Sequence, residues 1–260
     1  MKTVLTIAGS DCSGGAGIQA DIKTITMHYC YAMSAITAQN TTGVYGIEQT
    51  NDEFIANQLD CVFTDIFPDA VKIGMVYGNN SAKVIADKLN FYKAKNIVTD
   101  PVMVSTSGSR LISEQGLENL KKYLLPISAL ATPNVPEAEI LSGINIKNLQ
   151  DMQNAAKIIS DKYGCAVLCK GGHLEDCSDD LLYFDGEFYT YPSVRIDNPN
   201  THGTGCTLSS AIASNLAKGF EIPQAVENAK AYVTKAIGVK LDLGKGRGPL
   251  MHNYILQNFK

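Results

Sequence analysis

The chain of 260 residues carries 22 Lys and Arg against 26 Asp and Glu, a formal net charge of −4, with 45% hydrophobic and 18% charged residues. There is enough apolar material to bury a core and no low-complexity tract, which excludes a disordered or collagen-like chain. A mildly acidic balance without a Lys/Arg stripe argues against nucleic acid or an anionic membrane as partner and leaves a small molecule as the expected ligand.

In chain order, Thr3 to Ala8 reads as a buried strand, Gly9 to Gly17 as a glycine-rich loop, and Ile18 to Met27 as a helix with Ile18, Ile22 and Ile25 at helical spacing. The order recurs: strand Met33 to Ala38, helix 53–63, strand Ala70 to Gly74, helix 80–93, strand Asn96 to Thr99. After Asp100 a loop leads to helix 113–124, strand Ala129 to Thr132, helices from Pro136 and from Asn148, and strand Cys165 to Lys170. Asp185-Gly186 then links Leu181 to Phe184 with Phe188-Tyr189 in a hairpin, the one clearly antiparallel element expected. Helices from Gly205 to Lys218 and from Pro223 to about Lys240 complete the chain. Such alternation predicts a mainly parallel, covered sheet, and with no linker the expectation is one α/β domain over residues 1–260.

Apolar runs are broken by polar residues within a few positions, so no membrane span is expected. The first apolar stretch is too short for a signal peptide, and the expected compartment is the cytoplasm. Seven scattered cysteines without a CxxC pair fit reduced thiols.

Asn200-Thr201-His202-Gly203-Thr204-Gly205-Cys206 places two glycines before a helix of small residues, where open backbone amides and the helix dipole bind anions. Cys206 falls in the first turn, so its thiol pKa is expected to be lowered, making it a base or nucleophile. A tight turn around a small buried cysteine is the plainer alternative. Gly14-Gly15-Ala16-Gly17 sits between the first strand and helix, a usual ligand position in α/β sheets, but is neither a GxGxxG nor a Walker loop. Asp21 follows one turn into the helix, and by position alone solvent is the favoured surrounding.

Asp100, Asn134 and Glu137 gather at strand ends, hard oxygen ligands suited to a magnesium carried by nucleotide phosphates. Asn134 and Glu137 also match a helix capping box, and both readings can hold. Lys170-Gly171-Gly172-His173 offers a cation with room beside it for a phosphate. Cys165, Cys169, His173 and Cys177 recur every four residues, but the segment is strand-like and broken by Gly171-Gly172, so metal binding is not expected there. His202 with Cys206 is a conceivable hydrolase pair that lacks a recognisable third, orienting group.

LTIAGSDCSGGAGIQADIKT, ITAQNTTGV, KIGM, DPVMVSTSG, ATPNVPEAE, KGGH and NTHGTGCTLSSAIA, in this order from Leu5 to about Pro249, closely resemble the hydroxymethylpyrimidine/phosphomethylpyrimidine kinases of thiamine biosynthesis, in the ribokinase-like superfamily. The resemblance implies a three-layer αβα domain and ATP- and Mg²⁺-dependent phosphorylation of 4-amino-5-hydroxymethyl-2-methylpyrimidine, then of its monophosphate. It implies Cys206 as the base, where most sugar kinases of the superfamily have aspartate, and an anion hole of Gly203, Thr204, Gly205 and Cys206. It further implies Lys170 and Lys72 on the nucleotide, and Asp100, Asn134 and Glu137 around Mg²⁺ and its waters. The pyrimidine would meet Gly9, Asp21, Gln39, Met75 and Val102, and the assembly would be a homodimer.

The nearest alternative is a pyridoxal/pyridoxine kinase, whose dual-cysteine variant carries a second cysteine where this chain has Ser105. Ser105 and Gln39 both favour the pyrimidine. A Cys206-dependent hydrolase and a non-catalytic binding module are the alternatives from other classes. The loop from Ser105 to Arg110 is expected to close over the site.

Overall fold

In the run Thr3–Asp11, Leu5 and Ile7 enter one hydrophobic core and Val4 enters another. A strand that buries both faces must be covered on both, the condition of a sheet between two helical layers. The computed structural model describes residues 1–40, 45–104, 111–172, 179–193 and 196–258. Its strands are β1 (Thr3–Asp11), β2 (Tyr31–Asn40), β3 (Ile47–Gln49), β4 (Ala70–Ile73), β5 (Ile97–Thr99), β6 (Leu130–Ala131), β7 (Ala166–Cys169), β8 (Asp180–Phe184) and β9 (Glu187–Tyr191). All nine join one sheet in the order β3-β2-β1-β4-β5-β6-β7-β8-β9. The six strands from β2 to β7 in that order run parallel, so their carboxyl ends share one edge.

The helices are α1 (Gly17–Met27), α2 (Asp52–Asp65), α3 (Ser81–Phe91), α4 (Glu114–Asn119), α5 (Val135–Ser142), α6 (Leu149–Tyr163), α7 (Thr204–Ala217) and α8 (Ile222–Gly238). One core joins Leu5, Ile7, Val71 and Ile73 to α2, α3, α5 and α6; the other joins Val4, Ala70, Val98 and Leu168 to α1, α7 and α8. This is the three-layer αβα arrangement, and no described helix is long and apolar enough to cross a membrane.

The structure corrects the sequence reading in four places. β1 continues through Gly9 to Asp11, because Ser10 and Asp11 pair with Gln39 and Asn40 after a register shift. The hairpin of β8 and β9 is not the one antiparallel element, since β3 pairs antiparallel with β2 and β8 with β7. β3 was not foreseen; its three residues hold only one apolar side chain and take their form from Ala38 to Asn40 opposite. The helix expected over 113–124 is α-helical only to Asn119, then passes through a π turn, Leu120–Leu124, and a 3₁₀ turn, Leu125–Ile127. Pro126 has no N–H with which to continue the ladder. The Asp185-Gly186 turn is as expected, with both residues at positive φ (50° and 81°), the type I′ pattern that matches strand twist.

Candidate active site

The shared carboxyl edge brings together residues far apart in sequence. Asp100 follows β5, Asn134 follows β6, and Lys170 follows β7 and bridges to Asn134 in parallel register. Lys170 Nζ lies 2.8 Å from Asp100 Oδ1, which also accepts from the Thr132 hydroxyl at 3.1 Å. Burial works against the Lys170 charge, but Asp100 and then Glu137 outweigh it and hold the ammonium protonated, above the usual lysine range.

Asn134 and Glu137 form the foreseen capping box of α5: Glu137 N donates to Asn134 Oδ1 (2.9 Å), and Asn134 N donates to Glu137 Oε2 (2.8 Å). Burial, with Asp100 adding to it against the pull of Lys170, pushes the Glu137 carboxyl up to about 7. Among the described residues no group of three or more His, Cys, Asp or Glu side chains is placed to hold a metal directly. Two buried carboxylates sharing one lysine nevertheless leave an excess of negative charge, which suits a hydrated divalent cation held through water.

α7 begins at the edge of this group. A Cβ on Gly205 would lie 3.3 Å from Asp100 Oδ2 and 3.5 Å from Lys170 Nζ, so the helix terminus abuts the ion pair. The small buried residues Ser209, Ser210, Ala211 and Ala213 let α7 lie close on the sheet. Of the expected anion-hole amides, Thr204 N donates to Thr201 O (3.3 Å), whereas those of Gly205 and Cys206 meet no acceptor among the described residues. Gly203 caps the helix in the left-handed conformation (φ 83°), and a Cβ there would stand 1.9 Å from Gly15 O. Gly203→Ala is therefore expected to lose stability, about 1–2 kcal/mol from the left-handed backbone alone, and activity along with it. Wild-type melting and wild-type turnover in that variant would contradict this packing.

The expectation of a lowered Cys206 pKa is not met. Burial pushes the thiol up to about 11; Lys72 and the Gly17 amide pull it down, but Asp21 and Asp100 oppose them. The helix terminus alone does not overcome the loss of water around the sulfur.

Asp21 and Lys72 are also placed differently from the sequence reading. Both side chains are fully buried, with Lys72 Nζ 2.7 and 2.9 Å from the Asp21 oxygens. Thr6 Oγ1 (2.6 Å) and Ser210 Oγ (2.8 Å) donate to the same carboxylate. Strand alternation explains it: Val71 and Ile73 face one layer, so Lys72 faces the other with its register partner Thr6. Burial opposes the Lys72 charge, but Asp21 above all holds it protonated. A Cβ on Gly74 would lie 2.6 Å from Lys72 Nζ, hence the glycine in KIGM.

Gly9, Met75 and Val102 do come together. A Cβ on Gly9 would touch Met75 Sδ at 3.1 Å, and Met75 and Val102 pack with Ala38 and Leu111 in a small apolar cluster. Gln39, near the end of β2 in register with Ser10, is exposed.

Sequence reasoning missed the partner of His202. His202 Nε2 donates to Asp11 Oδ2 at 2.8 Å, so the orienting carboxylate judged absent is present. Asp11 also accepts from the Ser13 amide two residues on, an Asx turn legible in principle from Asp-Cys-Ser. Cys165 and Cys169 are buried thiols, pushed up by that burial to about 12. Ser105, the loop 105–110, His173 and Cys177 lie outside the described residues. A groove of about 750 Å³ between β9 and α8 contains none of the expected site residues.

Residues 11–251 match the family described as phosphomethylpyrimidine kinase. The chain is 47% identical over 254 residues to the thiamine biosynthesis bifunctional protein ThiED of Geobacter sulfurreducens, covering 96% of this chain and 52% of that protein, about half its length. It is 46% identical to hydroxymethylpyrimidine/phosphomethylpyrimidine kinase of Rhizobium meliloti, covering 95% and 96%. The crystal structure of phosphomethylpyrimidine kinase from Clostridium difficile superposes with a TM-score of 0.83 at 45% identity, over 91% of this chain and 100% of the other. That of the ADP complex of Bacillus subtilis pyridoxal kinase gives 0.92 at 36% identity, over 99% and 100%.

Proposed function

The chain belongs to the phosphomethylpyrimidine kinase family, and from that premise we propose that it transfers phosphoryl groups from ATP, first to the 5-hydroxymethyl group of 4-amino-5-hydroxymethyl-2-methylpyrimidine and then to the resulting monophosphate. One observation carries the reading: Lys170, paired with Asp100, abuts a helix terminus whose Gly205 and Cys206 amides are open. A cation and open amides on one side suit charge developing on a phosphoryl group, often the largest catalytic contribution. Lys170 would hold nucleotide phosphate, and the two amides would hold the group in transit.

Cys206 would take the proton of the attacking hydroxyl. Lys72 serves as the buried cation that favours its thiolate, and Asp21 fixes Lys72; neither side chain is open to ligand as it stands. Gly9, Met75 and Val102 form the apolar wall for the ring, and Gln39 presents an amide able to pair with its amino and ring-nitrogen edge. Mg²⁺ would be held through water by Asp100 and Glu137, with Asn134 orienting Glu137, and would neutralise phosphate charge. We carry through the reading of one kinase domain acting as a cytoplasmic homodimer, which sedimentation and cell fractionation would check.

The test is product analysis by mass spectrometry after incubation with Mg-ATP and the hydroxymethylpyrimidine. Monophosphate appearing first and diphosphate second is the expected result; ADP released without either product would overturn the assignment. The similarity to a pyridoxal kinase favours one secondary reading, a slower side reaction on pyridoxine.

A further inference from the structure

Asp11 and His202, 191 residues apart, lock two loops together. The Asp11 side chain is 4% exposed and accepts from four donor groups: Ser13 N (3.0 Å), Ser13 Oγ, which lies within reach of both oxygens, Ala16 N (3.0 Å) and His202 Nε2 (2.8 Å). A carboxylate only accepts, so the ring nitrogen at that contact carries the proton. The hydrogen bonds from His202 and Ser13 outweigh burial and hold the Asp11 carboxyl well below the usual range.

Around this bond the backbones interlock. A Cβ on Gly15 would stand 2.4 Å from His202 Cδ2, and one on Gly203 would stand 1.9 Å from Gly15 O. α1, which follows the same loop, packs along α7. On its other side the His202 amide donates to Gly248 O (3.1 Å), so the turn is gripped from both flanks.

We infer that the Asp11–His202 bond is a positioning device: it presses the glycine loop of residues 11–17 against the turn at Gly203, so that the Gly205 and Cys206 amides and the Cys206 sulfur keep fixed places. The inference rests on the kinase reading, in which that turn holds the transferred group. Neither residue touches the reacting atoms. The glycines at 203 and 205 give the turn conformational freedom that something else must restrain.

The experiment compares wild type, His202→Leu, His202→Gln, Asp11→Asn, and Asp11→Asn with His202→Leu. His202→Leu removes the donor; His202→Gln keeps an N–H able to reach Asp11. Expected are a fall in kcat of about 100-fold for His202→Leu with pyrimidine KM within about threefold, and recovery to within about tenfold of wild type in His202→Gln. The double variant should be no worse than the poorer single one, as for two residues acting as a unit. In the unliganded proteins, amide hydrogen exchange over residues 199–208 should speed up in His202→Leu and not in His202→Gln. Additive losses, a change confined to KM, unaltered exchange in His202→Leu, or a glutamine variant as poor as leucine would each overturn the inference. Wild type inactive on every acceptor would instead refute the kinase reading, while the exchange comparison would still judge the bond.

Discussion

Replacing Cys206 by alanine is expected to lower the first phosphoryl transfer by about 10²–10⁴-fold, the usual worth of a positioned acid–base group, and the second by less than about tenfold. The two acceptors differ in one proton. An alcohol must lose its proton to attack, whereas a phosphate monoester already carries a charge of about −1.5 to −2 near pH 7 and needs no base. The thiol, held up at about 11 in the unliganded site, is mostly protonated at neutral pH, and the basic form grows as pH rises toward that value. The first transfer should therefore accelerate tenfold or less per pH unit between about pH 7 and about pH 9, while the second stays nearly flat. Separate assays on each acceptor, in wild type and variant, check both statements. Equal losses in the two steps would mean that Cys206 acts through the shape of the turn, and no loss in the first would remove it as the base.

Lys72→Met should be the most destabilising change at the site. Lys72 and Asp21 are both fully buried, and deleting one partner leaves a charge with no counter-ion in a water-free layer. Breaking such a pair typically costs about 3–5 kcal/mol. Thr6 and Ser210 would still donate to Asp21, but two hydroxyls do not replace an ammonium. Urea denaturation is the measurement, with Lys72→Met/Asp21→Asn expected to regain more than half of the loss, because no charge then remains buried. A loss under about 1 kcal/mol would show that the layer admits water. Lys72→Met should also slow the first transfer, since Lys72 is the foremost influence lowering the Cys206 pKa.

What could be read from the sequence was what local chemistry determines. The alternation of short β-rich runs with helices gave the parallel sheet; Asn134 and Glu137 announced their capping box, Asp185-Gly186 its hairpin, and two glycines the turn before α7. Pairings across the sheet were not legible. Lys72 stands in an apolar strand with nothing nearby to say that Asp21, 51 residues earlier, awaits it. Asp11 and His202 each sit in a recognisable motif, but it is the packing of α7 on β1 and α1 that brings the motifs together. The Cys206 error has the same origin: helix position is a sequence property, whereas the burial that outweighs it, and the charges of Asp21 and Asp100 that add to it against Lys72, come from parts of the chain distant in sequence. β3 likewise exists only because β2 offers it an edge.

The most direct test is a competition, with purified protein and Mg-ATP offered equal amounts of the hydroxymethylpyrimidine and pyridoxine, and phosphorylated products followed by mass spectrometry. The proposed roles of exposed Gln39 and of the Gly9, Met75 and Val102 wall predict that pyrimidine monophosphate forms first and pyridoxine phosphate remains the minor product. Pyridoxine phosphate as the dominant product would leave the fold and Cys206 chemistry standing and contradict the assignment of the pyrimidine as substrate.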